Sequence, residues 1–131
     1  MPGLAFHHAA MSVPDIDAAA RWYEDVLGFR EESRFVIPGG TQAMFLERDG
    51  LRIELFQVLD PQPMPAARLD PREDLKTLGN KHAAFTVADY DTFRADLIAR
   101  GIELVLEVGV TFGRGLFIRD GVGNVLEFLE R

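Results

Sequence analysis

The sequence predicts an α+β fold in which two tandem βαβββ modules form cupped mixed sheets. The first observation is an internal repeat at a constant offset of 74 positions (82 − 8), which aligns His8, Val13, Asp15 and Asp17 with His82, Val87, Asp89 and Asp91. The second is a further set at an offset of 73 (127 − 54), which aligns Gly28, Gly50, Ile53 and Glu54 with Gly101, Gly123, Leu126 and Glu127. Because both sets occur in the same order, we interpret them as two copies of one module.

The length of 131 residues suits a single compact domain with its own core. We predict one domain over 1–131, with module one at 5–58, a linker at 59–79 and module two at 80–131. The linker contains four prolines and no apolar period, a pattern that favours neither a helix nor a central strand. Its length suits a lid or a dimer arm as well as a plain spacer.

Strand patterns occur at matching places in both modules. Alternation of small or polar residues with apolar ones predicts the first strand of each module, at 5–13 and 81–88. Three more strands follow the helix of each module, and we predict them at 30–37, 42–48 and 51–58 in the first and at 102–108, 112–119 and 124–130 in the second.

Each predicted helix begins after an acidic cap. The carboxylates of Asp15 and Asp89 are placed to accept the first free helical N–H groups, while Asp17 and Asp91 favour the positive end of the helix dipole. Apolar stripes then predict one buried face on each helix, formed by Ile16, Ala20, Tyr23 and Leu27 in module one and by Tyr90, Phe93 and Leu97 in module two. Gly28 and Gly101 end the two helices.

Composition excludes several classes of function. With 14 Lys and Arg against 21 Asp and Glu, the net charge of −7 repels polyanions, so we expect no nucleic-acid partner. The chain has no cysteine, which leaves oxygen and imidazole ligands for any metal ion. No stretch resembles a signal peptide or is apolar enough to span a membrane, so we expect a cytoplasmic protein without a membrane partner.

Strand alternation brings four ligand-type residues to the same face of their sheets. The side chains expected under the helices are Leu51, Ile53, Leu55, Leu126 and Phe128 in the last strands, and Ala9, Met11, Val13, Ala83, Phe85 and Val87 in the first strands. Glu54, Glu127, His8 and His82 then face the other side. His7 is predicted to point to the opposite face from His8 and is rejected as a ligand.

These four residues predict a metal site in a central cavity between the modules. A single strand histidine is more often an exposed or hydrogen-bonded residue than a ligand, but here both His–Glu pairs recur at equivalent positions. Two carboxylates in an apolar cup repel each other unless a cation lies between them. Two imidazoles and two carboxylates suit one divalent ion, which we expect to be zinc, nickel, cobalt, manganese or ferrous iron.

The sequence resembles the vicinal oxygen chelate superfamily, which includes glyoxalase I, methylmalonyl-CoA epimerase, fosfomycin-modifying enzymes, extradiol dioxygenases and bleomycin-resistance binders. The resemblance covers nearly the whole chain and is carried by His8 to Asp15, Tyr23 to Phe29, Ile53-Glu54-Leu55, His82 to Asp89, and Asp120 to Phe128. It implies that His8, Glu54, His82 and Glu127 occupy the metal positions of the family. Relatives often carry proline and aspartate where this chain has Gly121 and Val122, a departure expected to alter only the turn.

The resemblance implies a metal-dependent lyase or isomerase that moves a proton on a small α-oxygenated substrate, with Glu54 and Glu127 as catalytic bases. Two alternatives stay open: a ferrous-iron-dependent extradiol-type dioxygenase, and a drug-binding or resistance protein of the same fold. Arg52, on the strand face of Glu54, and Arg114 are candidates to bind a substrate carboxylate or phosphate, although both also suit a surface role. The resemblance and the open sheet edges together imply a homodimer.

Overall fold

The computed structural model describes residues 2–111 and 113–131 and confirms the α+β fold with two repeated modules. Module one contains β1 (Ala9–Ser12), α1 (Ile16–Leu27), β2 (Arg30–Ile37), β3 (Thr41–Arg48) and β4 (Leu51–Gln57). Module two contains β5 (Ala83–Val87), α3 (Tyr90–Ala99), β6 (Leu106–Val110), β7 (Gly113–Arg119) and β8 (Val125–Glu130). Between them lie a 3-10 turn (Ala66–Leu69) and the short α2 (Pro71–Asp74). No helix among the described residues is long and apolar enough to cross a membrane.

Each module forms one four-stranded mixed sheet with the same topology. The strand orders are β1-β4-β3-β2 and β5-β8-β7-β6. In both sheets the first strand is parallel to the last, and the other neighbours are antiparallel. The first and last strands of a module, which carry the predicted ligands, are therefore direct neighbours.

The helices begin and end as the capping residues predict. Asp15 accepts hydrogen bonds from the backbone N–H groups of Asp17 and Ala18, and Asp89 accepts one from Thr92. Gly28 closes α1 at a φ of 71°, a left-handed conformation that glycine adopts without a steric penalty. The buried face of α1 contains Ala19 rather than the predicted Ala20, because the stripe turns slightly further round the helix.

Both cores lie between a helix and one face of its own sheet. Tyr23 is fully buried and its hydroxyl donates to the sulfur of Met11, while Phe93 of α3 packs on Phe128 of β8. Ile53, Leu55, Leu126 and Phe128 are buried as predicted. Leu51 was predicted to join them but is 46% exposed, because it starts β4 directly after a turn and lies at the end of the sheet.

Three predicted boundaries need correction. The first strands begin at Ala9 and Ala83, later than predicted at 5 and 81. β6 begins at Leu106 rather than 102, and its pairing with β7 starts at Leu106 opposite Phe117. The next strand was predicted to start at Phe112, and this residue lies outside the described residues.

The linker forms helical turns and packs on module two, contrary to the prediction that it contains no helix. Asp70 caps α2 by accepting from the Arg72 N–H, and Pro71 occupies the first turn, where a missing N–H costs nothing. Arg119 donates to the carbonyl oxygen of Leu69 at 2.8 Å. The chain thus forms two compact units that meet in sequence between Gln62 and Pro63, and most of the linker belongs to the second.

Candidate metal centre

Module one brings His8 and Glu54 together. Glu54 lies on β4 between the buried Ile53 and Leu55, so strand alternation turns its carboxylate to the face away from α1. β1 runs parallel beside it, with Ala10 opposite Glu54, and this register places His8 just before the strand. The His8 Nε2 atom lies 3.2 Å from Glu54 Oε1, and the side chains are 30% and 10% exposed. The two side chains form a small polar patch on the face of the sheet that points away from α1.

Module two brings His82 and Glu127 together by the same construction. β5 runs parallel to β8 with Ala84 opposite Glu127, which places His82 beside the carboxylate. The His82 Nε2 atom lies 2.8 Å from Glu127 Oε2, and both side chains are about one-fifth exposed or less (21% and 17%). The repeat seen in the sequence therefore corresponds to a repeated histidine–carboxylate contact.

An aromatic ring supports each pair, a feature that the sequence reasoning missed. Phe45 is the register partner of Glu54 and its ring centre lies 5.2 Å from that of His8. Phe117 is the partner of Glu127 and lies 5.1 Å from His82, and both contacts are edge-to-face. The signal was present in the repeat, since the two phenylalanines are 72 positions apart (117 − 45) and each precedes an aliphatic residue.

The geometry of each pair fits two neighbouring ligands of one divalent ion. Bonds of about 2.0–2.2 Å at angles between 90° and tetrahedral place two ligand atoms about 2.8–3.5 Å apart, and the separations of 3.2 and 2.8 Å lie within that range. They are also hydrogen-bond distances, so each pair is satisfied without an ion. Over residues 2–111 and 113–131, no three His, Asp or Glu side chains are arranged so that they could hold one metal ion. The joint four-ligand site stays a prediction.

Strand alternation predicted that His7 points away from His8, but the structure places the two rings beside each other. Its Nδ1 lies 2.7 Å from the Nδ1 of His8, and its ring contacts Phe45 edge-to-face with centres 5.8 Å apart. The prediction was wrong because β1 begins at Ala9, and residues ahead of a strand are not bound by its alternation. Two imidazoles therefore stand side by side in module one.

Arg52 lies near the first pair but is already engaged. Its Nε and Nη2 atoms donate to the carboxylate of Glu32, and these contacts raise the pKa of the guanidinium above its usual value. Nη1 faces His7 Nε2 at 3.4 Å. A substrate anion would have to compete with Glu32 for this side chain.

Arg114 lies on the other face of its sheet from Glu127. Its guanidinium stacks over Tyr90 of α3, 4.6 Å from the ring centre, and pairs with Asp91 and Glu130. The hydrogen bonds to Glu130 and Asp91 raise the pKa of Arg114 well above its usual value. This side chain also lines a cleft of about 260 Å³ on the helix side of module two. The structure does not bring Arg114 to the histidine–carboxylate pair.

A comparison with known protein families shows which family this chain belongs to. A model of the Glyoxalase/Bleomycin resistance protein/Dioxygenase superfamily matches residues 5–128. The chain belongs to this superfamily. The match includes both modules and all four predicted ligands. No curated protein sequence matches the chain closely enough to be counted as a relative.

Solved structures of the superfamily share the fold over nearly their whole length. A glyoxalase family protein from Enterococcus faecalis is 24% identical with a TM-score of 0.79, and the match covers 96% of this chain and 97% of that one. A lactoylglutathione lyase from Agrobacterium tumefaciens is 23% identical (TM-score 0.68; 99% and 96% covered). The fosfomycin resistance protein FosX from Listeria monocytogenes is 17% identical (TM-score 0.68; 100% and 94% covered). Since one fold supports such different functions, activity must be argued from the site.

Proposed function

We propose that this chain is a metal-dependent lyase or isomerase of the glyoxalase type, which transfers a proton on a small α-oxygenated substrate. The ion would be held by His8, Glu54, His82 and Glu127. The observation that supports this most directly is the repeated contact between an imidazole Nε2 and a carboxylate, at ligand-to-ligand distance in both modules. Both pairs also have the same aromatic neighbour, a phenylalanine whose ring packs edge-to-face on the histidine.

The proposed chemistry divides between the ion and the two carboxylates. When bound, a divalent ion would polarise a substrate oxygen and stabilise the negative charge that develops as the neighbouring C–H loses its proton. Glu54 or Glu127 would take that proton and return it, since each carboxylate lies beside a predicted metal ligand. Phe45 and Phe117 would limit the access of water to the carboxylates, which keeps the proton from exchanging with solvent.

The four-residue ligand set favours proton transfer over the alternatives. A ferrous-iron dioxygenase needs two histidines and one carboxylate, so one of the two glutamates would be surplus. A binding protein that works without a metal has no use for two histidine–carboxylate pairs. A cytoplasmic location and a homodimer, in which the four ligands come from one chain or from two, remain predictions alongside this proposal.

Turnover after metal exchange tests the proposal. The protein is stripped with a chelator, reloaded with zinc, nickel or cobalt, and assayed without oxygen on 2-oxoaldehyde–thiol adducts and 2-acyl thioesters by following isomerisation and deuterium exchange of the α-hydrogen. We expect no turnover without an ion and recovery with these redox-inert ions, because the ion acts only as a Lewis acid. Activity that needs ferrous iron and air would replace the proposal with the dioxygenase, and ligand binding without turnover would replace it with a binding protein.

Two variants on the same strand provide a matched control. Glu127→Gln removes a predicted ligand and base, while Glu130→Gln alters a carboxylate of β8 that pairs with Arg114 on the helix side. We expect turnover to fall by about two orders of magnitude or more for Glu127→Gln, within the usual contribution of a general base. Glu130→Gln should retain it. Equal activities in the two variants would remove Glu127 from the mechanism.

A further inference from the structure

A chain of four polar side chains runs through module one. Arg52 Nη1 lies 3.4 Å from His7 Nε2, His7 Nδ1 lies 2.7 Å from His8 Nδ1, and His8 Nε2 lies 3.2 Å from Glu54 Oε1. Arg52 is itself held by Glu32 through its other two nitrogens. The repeat does not explain this chain, because the residue before His82 is Lys81, which instead donates to backbone carbonyl oxygens of Asp74 and Thr77.

Hydrogen-bond donors and acceptors fix the direction of this chain. A guanidinium only donates, so His7 Nε2 must accept from Arg52. A neutral His7 then carries its proton on Nδ1 and donates to His8 Nδ1. His8 in turn carries its proton on Nε2 and donates to Glu54, whose carboxylate only accepts. Without an ion, each contact therefore has one donor and one acceptor, from Arg52 to Glu54.

The same two histidines have a second consistent arrangement. If His8 Nε2 is to offer a lone pair to an ion, its proton must sit on Nδ1, from which it donates to His7 Nδ1. His7 then carries its proton on Nε2. The two neutral rings hold two protons in either arrangement, so none is gained or lost. Two contacts then lose their hydrogen bond. His8 Nε2 and the Glu54 carboxylate would each offer a lone pair to the ion instead of sharing a proton, and the exposed His7 can donate to water instead of accepting from Arg52.

We infer that His7 is a positioning residue for His8, donating to its Nδ1 in the ion-free protein and accepting from it when His8 is a ligand, with Glu54 and Arg52 at the two ends of the chain setting the ion-free tautomer. The ion-bound half of this inference rests on the proposed function, and the ion-free half does not. An imidazole suits this position because it can reverse its role by moving one proton between its own nitrogens. Lys81 at the equivalent place in module two cannot.

Nitrogen-15 NMR of the full chain tests the ion-free half. At about pH 8, where an ordinary imidazole is neutral, the chelator-treated protein should show His8 protonated at Nε2 and His7 at Nδ1. The preference should persist in Arg52→Met, because the Glu54 carboxylate still accepts from His8 Nε2. It should be lost only in the double variant with Glu54→Gln, which removes the obligate acceptor as well. His82, which follows Lys81 rather than a second histidine in the sequence, is the internal reference and should keep its tautomer in that variant. A wild-type His8 protonated at Nδ1 without an ion would overturn the inference.

Zinc titration of two His7 variants tests the ion-bound half. His7→Phe keeps a ring against Phe45 but loses the nitrogens, while His7→Asn keeps a polar atom close to the position of Nδ1. We expect His7→Phe to weaken zinc binding about 10-fold to 100-fold, the usual effect of removing a group that orients a metal-bound histidine, and His7→Asn to recover most of it. Addition of zinc should also move the wild-type His8 proton to Nδ1. Unchanged affinity in a folded His7→Phe protein would overturn the positioning role.

The two tests separate this inference from the proposed function. If the wild-type chain binds no zinc but shows the expected tautomers, the metal proposal fails and the role of Arg52 and His7 in the ion-free protein stands. If it binds zinc and His7→Phe binds it equally well, the positioning role fails and the metal proposal stands.

Discussion

The two half-sites share a ligand pair but differ in what surrounds it. In module one, His8 lies between Glu54 and a second imidazole, and an arginine–glutamate pair lies behind that imidazole. In module two, His82 contacts Glu127 at the shorter distance of 2.8 Å, and the preceding lysine turns toward α2. The Phe ring beside each histidine is common to both.

This difference shows which features the repeat preserves. The histidine, the glutamate and the phenylalanine occur in both modules, whereas the outer residues of module one have unrelated counterparts. At the repeat offsets, Lys81 stands for His7, Val105 for Glu32 and Val125 for Arg52. The shared residues belong to the proposed chemistry, and the unshared ones adjust a single half-site. A single ion would then be bound by two half-sites that supply the same pair of ligands but differ in the residues around that pair.

The largest expected effect tests whether the modules are equally important for folding. Ile53 and Leu126 are repeat-equivalent and both almost fully buried under their helices. Substitution of either by alanine removes several methyl groups and leaves a cavity, so each should lower the free energy of unfolding by about 2–5 kcal/mol. Urea denaturation followed by circular dichroism measures both losses. A loss in only one variant would mean that the two cores do not contribute alike to folding.

A smaller effect is expected at the helix caps. Asp15 accepts hydrogen bonds from two backbone N–H groups and Asp89 from one. Asp89 also accepts from the side chain of Thr92. Asp15→Ala and Asp89→Ala should therefore each cost about 1 kcal/mol of unfolding free energy. The same denaturation assay measures both losses, with Glu24→Ala on the exposed face of α1 as a control without a capping role. A variant that loses no more than this control would contradict the capping role of its aspartate.

The smallest effect concerns pH and the surface ion pairs of both modules. The guanidinium of Arg34 lowers the pKa of Asp17, and that of Arg94 lowers the pKa of Glu107. A depressed carboxyl pKa stabilises the fold above the ordinary pKa of the unfolded chain, and this contribution is lost as the pH falls through the folded value. Carbon-13 titration should show Glu107 returning toward its ordinary pKa in Arg94→Gln. Both shifts should shrink in high salt, because the pairs are exposed.

The fold was predictable because the repeat and the strand and helix patterns agree in both modules. Asp15 and Asp89 fixed the helix starts, and the buried Ile53 and Leu126 fixed which way the glutamates face. The bounds of β6 were not predictable, since they depend on its pairing with β7. The helical turns at 66–74 were missed because proline was taken only as a helix breaker, although Pro71 occupies a first turn that tolerates it.

The candidate site was predictable in its pairs and not in its surroundings. Repetition identified His8, Glu54, His82 and Glu127, while the position of His7 depended on where β1 begins. Arg114 was a candidate for substrate binding, but it lies on the helix side with Asp91, a contact between residues 23 positions apart. Such contacts depend on tertiary packing, which a single sequence does not reveal.

The number of zinc ions bound per chain tests the central claim most directly. Calorimetric titration of the chelator-treated protein, together with Glu54→Gln and Glu127→Gln, measures both stoichiometry and affinity. If the two pairs hold one ion together, the wild-type chain binds one zinc ion, and each substitution lowers the zinc affinity by more than about 100-fold. A loss of that size exceeds the effect of removing a residue that only supports a ligand. Binding of two zinc ions per chain, each weakened by only one of the substitutions, would contradict the account. Zinc binding that neither substitution weakens would also contradict it.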